Sequence, residues 1–268
     1  MTMLHGITAK TLRDQRYGLL AWTAGLAALV GMYVAIWPSI RDQPSMRDML
    51  DQLPKAMRAL FAASGADLST PVGYVQVELL AFMGPMLLLI YAITTGAAAI
   101  AGEEEHRTTD LLLSCPVSRD RIVLRKALAM AAGIAGLSTV MGLSLIGEGA
   151  LAGMRLPVGN VVASMVHLGL LGLVFGSLAL AVGAGTGRAT ASRAVPAVVA
   201  VLGYVLNGLG SIISWLEPAR RFSPFYQYIG HDPLRTGYSP AALLIAASTA
   251  LGLIVVAVQL FRRRDIGR

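Results

Sequence analysis

Six long apolar stretches divide this chain of 268 residues and constrain its fold more than any other feature. A helix needs about 20 apolar residues to cross the roughly 30 Å hydrocarbon core of a bilayer. Only 14% of the residues are charged, whereas a soluble domain usually carries about 25%. The sequence therefore predicts an all-α integral membrane protein, with residues 1–268 forming a single transmembrane domain. The predicted spans lie at about 17–37, 74–101, 127–152, 161–185, 194–214 and 241–261.

The charged residues between the spans predict an orientation. Cytoplasmic loops carry an excess of lysine and arginine, and one set of segments holds 14 of the 22 basic residues. This set is 1–16, 102–126, 186–193 and 262–268. We therefore expect both termini in the cytoplasm and two long outer loops, 38–73 and 215–240. The net charge of +7 then lies on the inner side of the membrane, which argues against nucleic acid as a partner.

The inner loop 102–126 has an order of residue types that a simple polar linker does not need. Three glutamates, Glu103–Glu105, come first, and a threonine follows at Thr109. Three consecutive leucines, Leu111–Leu113, come next and are followed by Pro116. Threonine is suited to cap a short helix, and proline is suited to end one. The sequence thus predicts a short helix whose leucines need a protein surface to cover them.

A helical hairpin held by local ion pairs is the alternative interpretation of this loop. Surface ion pairs contribute only about 0–1 kcal/mol each. Such a hairpin explains the charged residues but leaves the three leucines exposed. Docking to another protein is therefore the favoured interpretation.

The stretch from Glu103 to Leu128 resembles the first cytoplasmic loop of ABC-2 type exporter permeases. The shared features are an acidic start, a threonine, a leucine run, a Pro-Val-Ser-Arg sequence and an Ile-Val-Leu-x-Lys sequence. They stand in this chain at Glu104–Glu105, Thr109, Leu111–Leu113, Pro116–Arg119 and Ile122–Lys126. Three later segments are similar to the final outer loop of that family, namely Leu216–Pro218, Ser223–Phe225 and Asp232–Arg235.

The resemblance implies the ABC-2 type exporter fold, in which this loop is a coupling helix that docks on a separate cytoplasmic ATPase. It also implies two permease subunits, identical or paralogous, and two ATPase subunits that bind ATP and Mg. The permease itself then binds no cofactor. Carried over to this chain, the ATPase-docking residues are Glu103, Glu104, Glu105, Arg107, Thr109, Asp110, Leu111, Leu112, Leu113, Ser114, Pro116, Arg119 and Arg121.

The sequence carries no motif for nucleotide binding or catalysis beside this loop. It has no Gly-x-x-x-x-Gly-Lys-Ser/Thr phosphate loop, and the glycine-rich stretch Gly183–Arg188 lacks the lysine. Its four histidines are scattered. We therefore expect no catalytic, cofactor-binding or metal site, and a transport subunit whose ATP hydrolysis takes place in a partner chain.

Two other functions stay open from the residues alone. A secondary transporter or channel would need no ATPase, but it usually shows internal repeats and charges at mid-membrane, and neither is clear in this sequence. A non-transporting scaffold would use the outer loop 38–73, which has an amphipathic helical pattern. For an exporter, the apolar interior permits a drug, an antibiotic or a lipid as cargo, as in multidrug efflux, without selecting one.

Several polar or small residues inside the spans invite a structural or functional interpretation. Glu78 and Glu148 fall near the outer ends of the second and third spans. Charges in membranes usually face a cavity or a partner, so these two glutamates are candidates for an outer vestibule; ordinary boundary residues are the alternative.

Gly84–Pro85 predicts a kink, and Gly172 with Gly176 has a spacing that suits close helix packing and gives weak support for a dimer seam.

The outer loop 215–240 is rich in aromatic residues and is interrupted by Pro218, Pro224 and Pro233. Aromatic side chains at this density prefer the interface between lipid headgroups and hydrocarbon. We expect short interfacial or re-entrant helices there, in contact with membrane lipids.

Arginine far outnumbers lysine, and alanine and glycine are abundant. This composition is associated with GC-rich bacterial genes, so the expected location is the cell membrane of a bacterium.

Overall fold

The computed structural model describes residues 16–41, 68–105 and 118–264, together with Pro54 and Met57. Within these ranges the regular structure is helical, and six helices are long and apolar enough to cross a membrane. The prediction of an all-α membrane protein with six spans is confirmed. Two predictions fall wholly or mainly outside the described residues: the amphipathic helix of loop 38–73 and the coupling helix within 106–117.

Nine helices, numbered in chain order, make up the described part of the chain. α1 is Arg16–Arg41, and α2 is a composite helix of five segments, Pro71–Val75, Gln76–Met83, Gly84–Ala97, Ala98–Gly102 and Glu103–Glu105. α3 is Arg119–Leu151, α4 is Val158–Thr186 and α5 is Ala189–Leu209. Three short helices follow, α6 at Glu217–Arg220, α7 at Pro224–Ile229 and α8 at Pro233–Thr236. The last helix, α9, is Pro240–Arg263.

Three helix ends differ by five residues or more from the predicted span ends, namely the start of α3 and both ends of α5, because hydropathy marks apolar residues and not helix ends. α3 begins at Arg119 instead of 127, so the inner loop is shorter than the predicted 102–126. Its first turns are polar but contain good helix formers, which extend the helix beyond its apolar part. α5 ends at Leu209 instead of 214, where Gly208 and Gly210 precede a series of tight turns.

α4 is the central helix of the bundle. In an apolar stretch of 18 residues, 72% of the residues of α4 are buried inside the bundle, whereas the corresponding share is 17% in α1, α5 and α9. It packs against α2, α3, α5 and α9. Helices in membranes associate mainly through close packing, because lipid is as apolar as their side chains. The position of α4 therefore depends on how closely its neighbours can approach it.

Small residues allow that close approach. A Cβ atom added to Gly96 of α2 would lie 2.3 Å from the carbonyl oxygen of Gly176 on α4. A Cβ atom on Gly172 would lie 3.1 Å from the Cγ2 atom of Ile134 on α3. The spacing of Gly172 and Gly176, which gave weak support for a dimer seam, thus serves packing inside one chain.

α2 is not a simple proline-kinked α-helix. Gln76–Met83 is π-helical, and the N–H of Gly84 bonds to the carbonyl of Leu79, five residues back. Pro85 has no N–H, so it cannot donate to the next carbonyl in this register, that of Leu80. The hydroxyl of Tyr228 on α7 donates to that oxygen instead, at 2.9 Å. Burial raises the pKa of Tyr228, so the hydroxyl keeps the proton that it donates.

We expect Tyr228→Phe to destabilise the folded protein by about 1–3 kcal/mol, because a buried carbonyl then lacks its donor. Thermal unfolding of the purified protein in mild detergent measures this effect. Tyr238→Phe is the matched control, since Tyr238 is 52% exposed. Equal unfolding temperatures for the two variants would contradict a supporting role for the hydroxyl of Tyr228.

Candidate functional site

The end of α2 and the start of α3 lie side by side on one face of the bundle. The Nζ atom of Lys126 donates to the Oε1 atom of Glu103 at 2.7 Å. The side chains are 9% and 28% exposed, respectively, so this ion pair is largely buried. Its two residues flank the segment 106–117 along the chain. The ion pair therefore holds the two ends of that segment together.

Arg119 ties α3 to the end of α9. Its Nη1 atom donates to the carbonyl of Arg264 at 2.6 Å and to that of Phe261 at 3.3 Å. The guanidinium also lies 5.9 Å from the centre of the Phe261 ring. The last carbonyls of a helix lack partners within it, so Arg119 acts as a cap of α9. A weaker, exposed pair joins Asp120 to Arg262 at 3.4 Å.

An apolar cluster underlies this face and joins the ends of four helices. Ile100 of α2, Val123 of α3, Leu180 of α4 and Phe261 of α9 are all buried in it. α4 ends at Thr186, and the left-handed backbone of Gly187 (φ 65°) then turns the chain directly into α5. We call the surface formed by the end of α2, the start of α3 and the end of α9 the α2–α3 face. The sequence predicts that it lies in the cytoplasm.

The structure describes only part of the predicted docking set. Glu103 pairs with Lys126 and Arg119 with the end of α9, whereas the side chains of Glu105 and Arg121 are exposed. Glu104 belongs to the last turn of α2. Ser118 takes the N-cap position of α3, but its side chain makes no capping hydrogen bond. The other members lie outside the described residues, namely Arg107, Thr109, Asp110, Leu111, Leu112, Leu113, Ser114 and Pro116.

Sequence reasoning missed the part that Lys126 plays. In the sequence it is only one of several basic residues before the third span. The signal that could have found it is its setting, because Lys126 is followed by apolar Ala127 and stands three residues after apolar Val123. A lysine on an apolar helix face usually needs a carboxylate partner.

Of the two glutamates proposed for an outer vestibule, Glu148 lies against α1. A Cβ atom on Gly31 of α1 would lie 2.8 Å from the Oε2 atom of Glu148, so these two residues are in close contact. That oxygen is buried and has no hydrogen-bond partner in the described part of the chain. Glu78 is half-buried in the π-helical part of α2. The assignment of the two glutamates to an outer vestibule stays a prediction.

The short helices α7 and α8 are anchored on α4 by specific hydrogen bonds. His167 of α4 is 2% exposed; its Nε2 atom accepts from the N–H of Ser239 at 3.3 Å. The proton of the neutral ring is then on Nδ1, which donates to the carbonyl of Gln227 at 3.1 Å. Asn160 donates to the carbonyls of Leu234 and Arg235. His167 thus acts as a structural link between α4, α7 and the start of α9.

Comparison with known proteins gives one match that covers nearly the whole chain. The family model described as ABC-2 family transporter protein matches residues 6–266. A comparison with curated proteins finds no match. The match thus includes the six spans, the segment between α2 and α3, and the short helices before α9.

Proposed function

This chain belongs to the ABC-2 family of transporter proteins and is a permease subunit of an ABC transporter, and we propose that its segment 106–117 docks on a cytoplasmic ATPase. The family is a family of membrane transport subunits, and its members generally associate with ABC ATPases. The proposal places the predicted docking residues, Glu103 to Arg121, on the cytoplasmic side. ATP and Mg are then bound by the partner chain.

The ion pair between Glu103 and Lys126 is the observation that carries this proposal. A docking segment transmits force only if its ends move together with the helices that bear it. At the α2–α3 face, the 2.7 Å pair joins α2 to α3, and Arg119 joins α3 to α9. α2 is in turn in close contact with α4 through Gly96 and Gly176. A displacement of the docked segment is therefore passed to the centre of the bundle.

The remaining parts of the proposal follow from the family. Two permease subunits, identical or paralogous, pack together and form one pathway through a bacterial cell membrane, with all termini in the cytoplasm. Closure of two ATPase subunits on ATP moves both docking segments and switches the access of the pathway. The cargo is a hydrophobic or amphipathic compound such as a drug, an antibiotic or a lipid, because the spans offer mainly apolar surface.

Reconstitution of the permease with its ATPase in vesicles tests this function. We expect cargo to stimulate ATP hydrolysis and cargo movement to require ATP. Cargo movement in vesicles without the ATPase would instead indicate a secondary transporter or channel. If no candidate cargo changes the rate of ATP hydrolysis and none is moved across the membrane, the protein would instead be a scaffold.

Breaking the ion pair should weaken the coupling between ATP hydrolysis and transport. Removing one partner of a fully buried pair costs about 3–5 kcal/mol, and the cost for this pair is smaller because Glu103 is 28% exposed. We expect Glu103→Gln to lower transport per ATP hydrolysed severalfold while the ATPase still binds. The exchange Glu103→Lys with Lys126→Glu should restore part of the coupling.

The exposed pair at the same face provides the matched control for this prediction. Asp120 and Arg262 are joined at 3.4 Å but are 38% and 64% exposed. Asp120→Asn should therefore leave transport per ATP unchanged. Equal coupling in Glu103→Gln and in the wild type would contradict the role assigned to the ion pair.

A further inference from the structure

A cavity of about 290 Å³ lies between α4, α7 and α9, on the side of the bundle that carries the short helices. Its size is close to the lower end of the range for ligand pockets, about 300–1,000 Å³. The cavity is separate from the α2–α3 face and contains none of the predicted docking residues. ATPase docking therefore does not account for it.

The lining of this cavity is amphipathic. Arg221 and Gln227 contribute polar groups, whereas Leu171, Val174, Ile245 and Ala246 contribute apolar surface. Arg221 is the one charged side chain among the described residues that line it, since His167 is held neutral by its two hydrogen bonds. In the described part of the chain, no carboxylate pairs with Arg221, which is exposed. The cavity is therefore suited to a molecule with an anionic group and an apolar tail.

The depth of the cavity agrees with one leaflet of a bilayer. The N–H of Ser239 contacts His167, so α9 begins level with that residue. From there the cavity extends to Val174 on α4 and Thr249 on α9. At about 1.5 Å of rise per residue, this is roughly 10–15 Å below the start of α9, and half of the hydrocarbon core is about 15 Å.

Neighbouring aromatic residues place Arg221 at the membrane interface. Phe222, which also lines the cavity, is 88% exposed, and Trp215 is 77% exposed. Exposed aromatic side chains of this kind prefer the level of the lipid headgroups. An arginine at this depth binds phosphate well, because its planar guanidinium donates to two oxygens at once.

We propose that this cavity binds one anionic phospholipid of the adjacent leaflet. The lipid phosphate lies on the guanidinium of Arg221, and one acyl chain lies between α4 and α9, against Leu171 and Ala246. This binding site needs no ATPase and no assignment of the inner side, so it stands independently of the proposed function.

Native mass spectrometry of the purified full-length protein tests the proposal. The protein is titrated in mild detergent with phosphatidylglycerol and, separately, with phosphatidylcholine. We expect one tightly bound phosphatidylglycerol and weaker binding of phosphatidylcholine. Arg221→Gln should weaken the binding of phosphatidylglycerol roughly tenfold, as expected for loss of one charged contact. Arg235→Gln is the control, because Arg235 is exposed but pairs with Asp232 away from the cavity.

A second pair of variants tests the apolar end of the cavity. Ala246→Phe adds a ring to a lining position and should exclude the acyl chain, whereas Leu244→Phe changes a residue that is 71% exposed on the same helix and outside the cavity. Unchanged binding in both Arg221→Gln and Ala246→Phe would overturn the proposal. So would equal affinity for the two lipids, or displacement of the lipid by glycerol phosphate, which would indicate a site for a soluble anion.

Discussion

Replacing Leu112 with aspartate is expected to abolish co-purification of the partner ATPase. Leu112 is the middle residue of the leucine run in the predicted docking helix. Docking would bury the new carboxylate without a partner, and an unpaired buried charge costs several kcal/mol. A cost of about 4 kcal/mol weakens binding roughly a thousandfold. Affinity purification of the tagged permease, co-expressed with the ATPase, measures the loss.

Two controls separate a docking defect from a folding defect in this experiment. Leu112→Met keeps the apolar character and nearly the volume of the side chain, so it should retain the ATPase. Gel filtration and the thermal unfolding temperature of Leu112→Asp should match those of the wild type, since Leu112 belongs to a loop between two spans and not to a span. Full retention of the ATPase by Leu112→Asp would contradict docking through the leucine run.

The second large effect is expected for Gly96→Ala, at the crossing of α2 and α4. The added Cβ atom would lie 2.3 Å from the carbonyl oxygen of Gly176 and 3.1 Å from the Cβ atom of Ala179. A backbone oxygen cannot turn aside as a side chain can, so the two helices must separate. Overpacking of this kind costs about 1–3 kcal/mol and occasionally more. Thermal unfolding in detergent should show a clear loss of stability.

Gly136→Ala makes the same change on α3, where nothing lies within 4 Å of the added atom. Substitutions away from packed features usually change stability by no more than about 0.5 kcal/mol. The two alanine variants should therefore differ strongly in unfolding temperature. Equal stability would contradict the close approach of α2 and α4, and with it the route from the docking segment to the centre of the bundle.

The number and type of the spans could be predicted from sequence because both depend on local composition. Twenty apolar residues in a row identify a span wherever they stand in the chain. The prolines at 218, 224 and 233 similarly predict breaks, and α6, α7 and α8 each carry one of these prolines near their start. The exact ends of α3 and α5 could not be predicted in this way. The first turns of α3 are polar like the loop before them, and the first turns after α5 are apolar like the helix itself.

The contacts that organise the candidate site could not be predicted, because they join distant parts of the chain. Lys126 meets Glu103 across 23 positions, Arg119 meets Phe261 across 142, and Tyr228 meets Leu80 across 148. Periodicity and motif spacing report only on neighbours a few residues apart. The docking prediction itself rests on the resemblance and on the run of three leucines in a loop between two spans.

The most direct test of ATPase docking is a pull-down of the tagged protein in mild detergent, with mass spectrometry of the proteins that accompany it. We expect a stoichiometric partner that carries a phosphate-binding loop, and the same experiment shows whether the permease pairs with itself or with a paralogue. Isolation of the permease alone, in several detergents, would contradict the docking proposal and favour a secondary transporter or a scaffold.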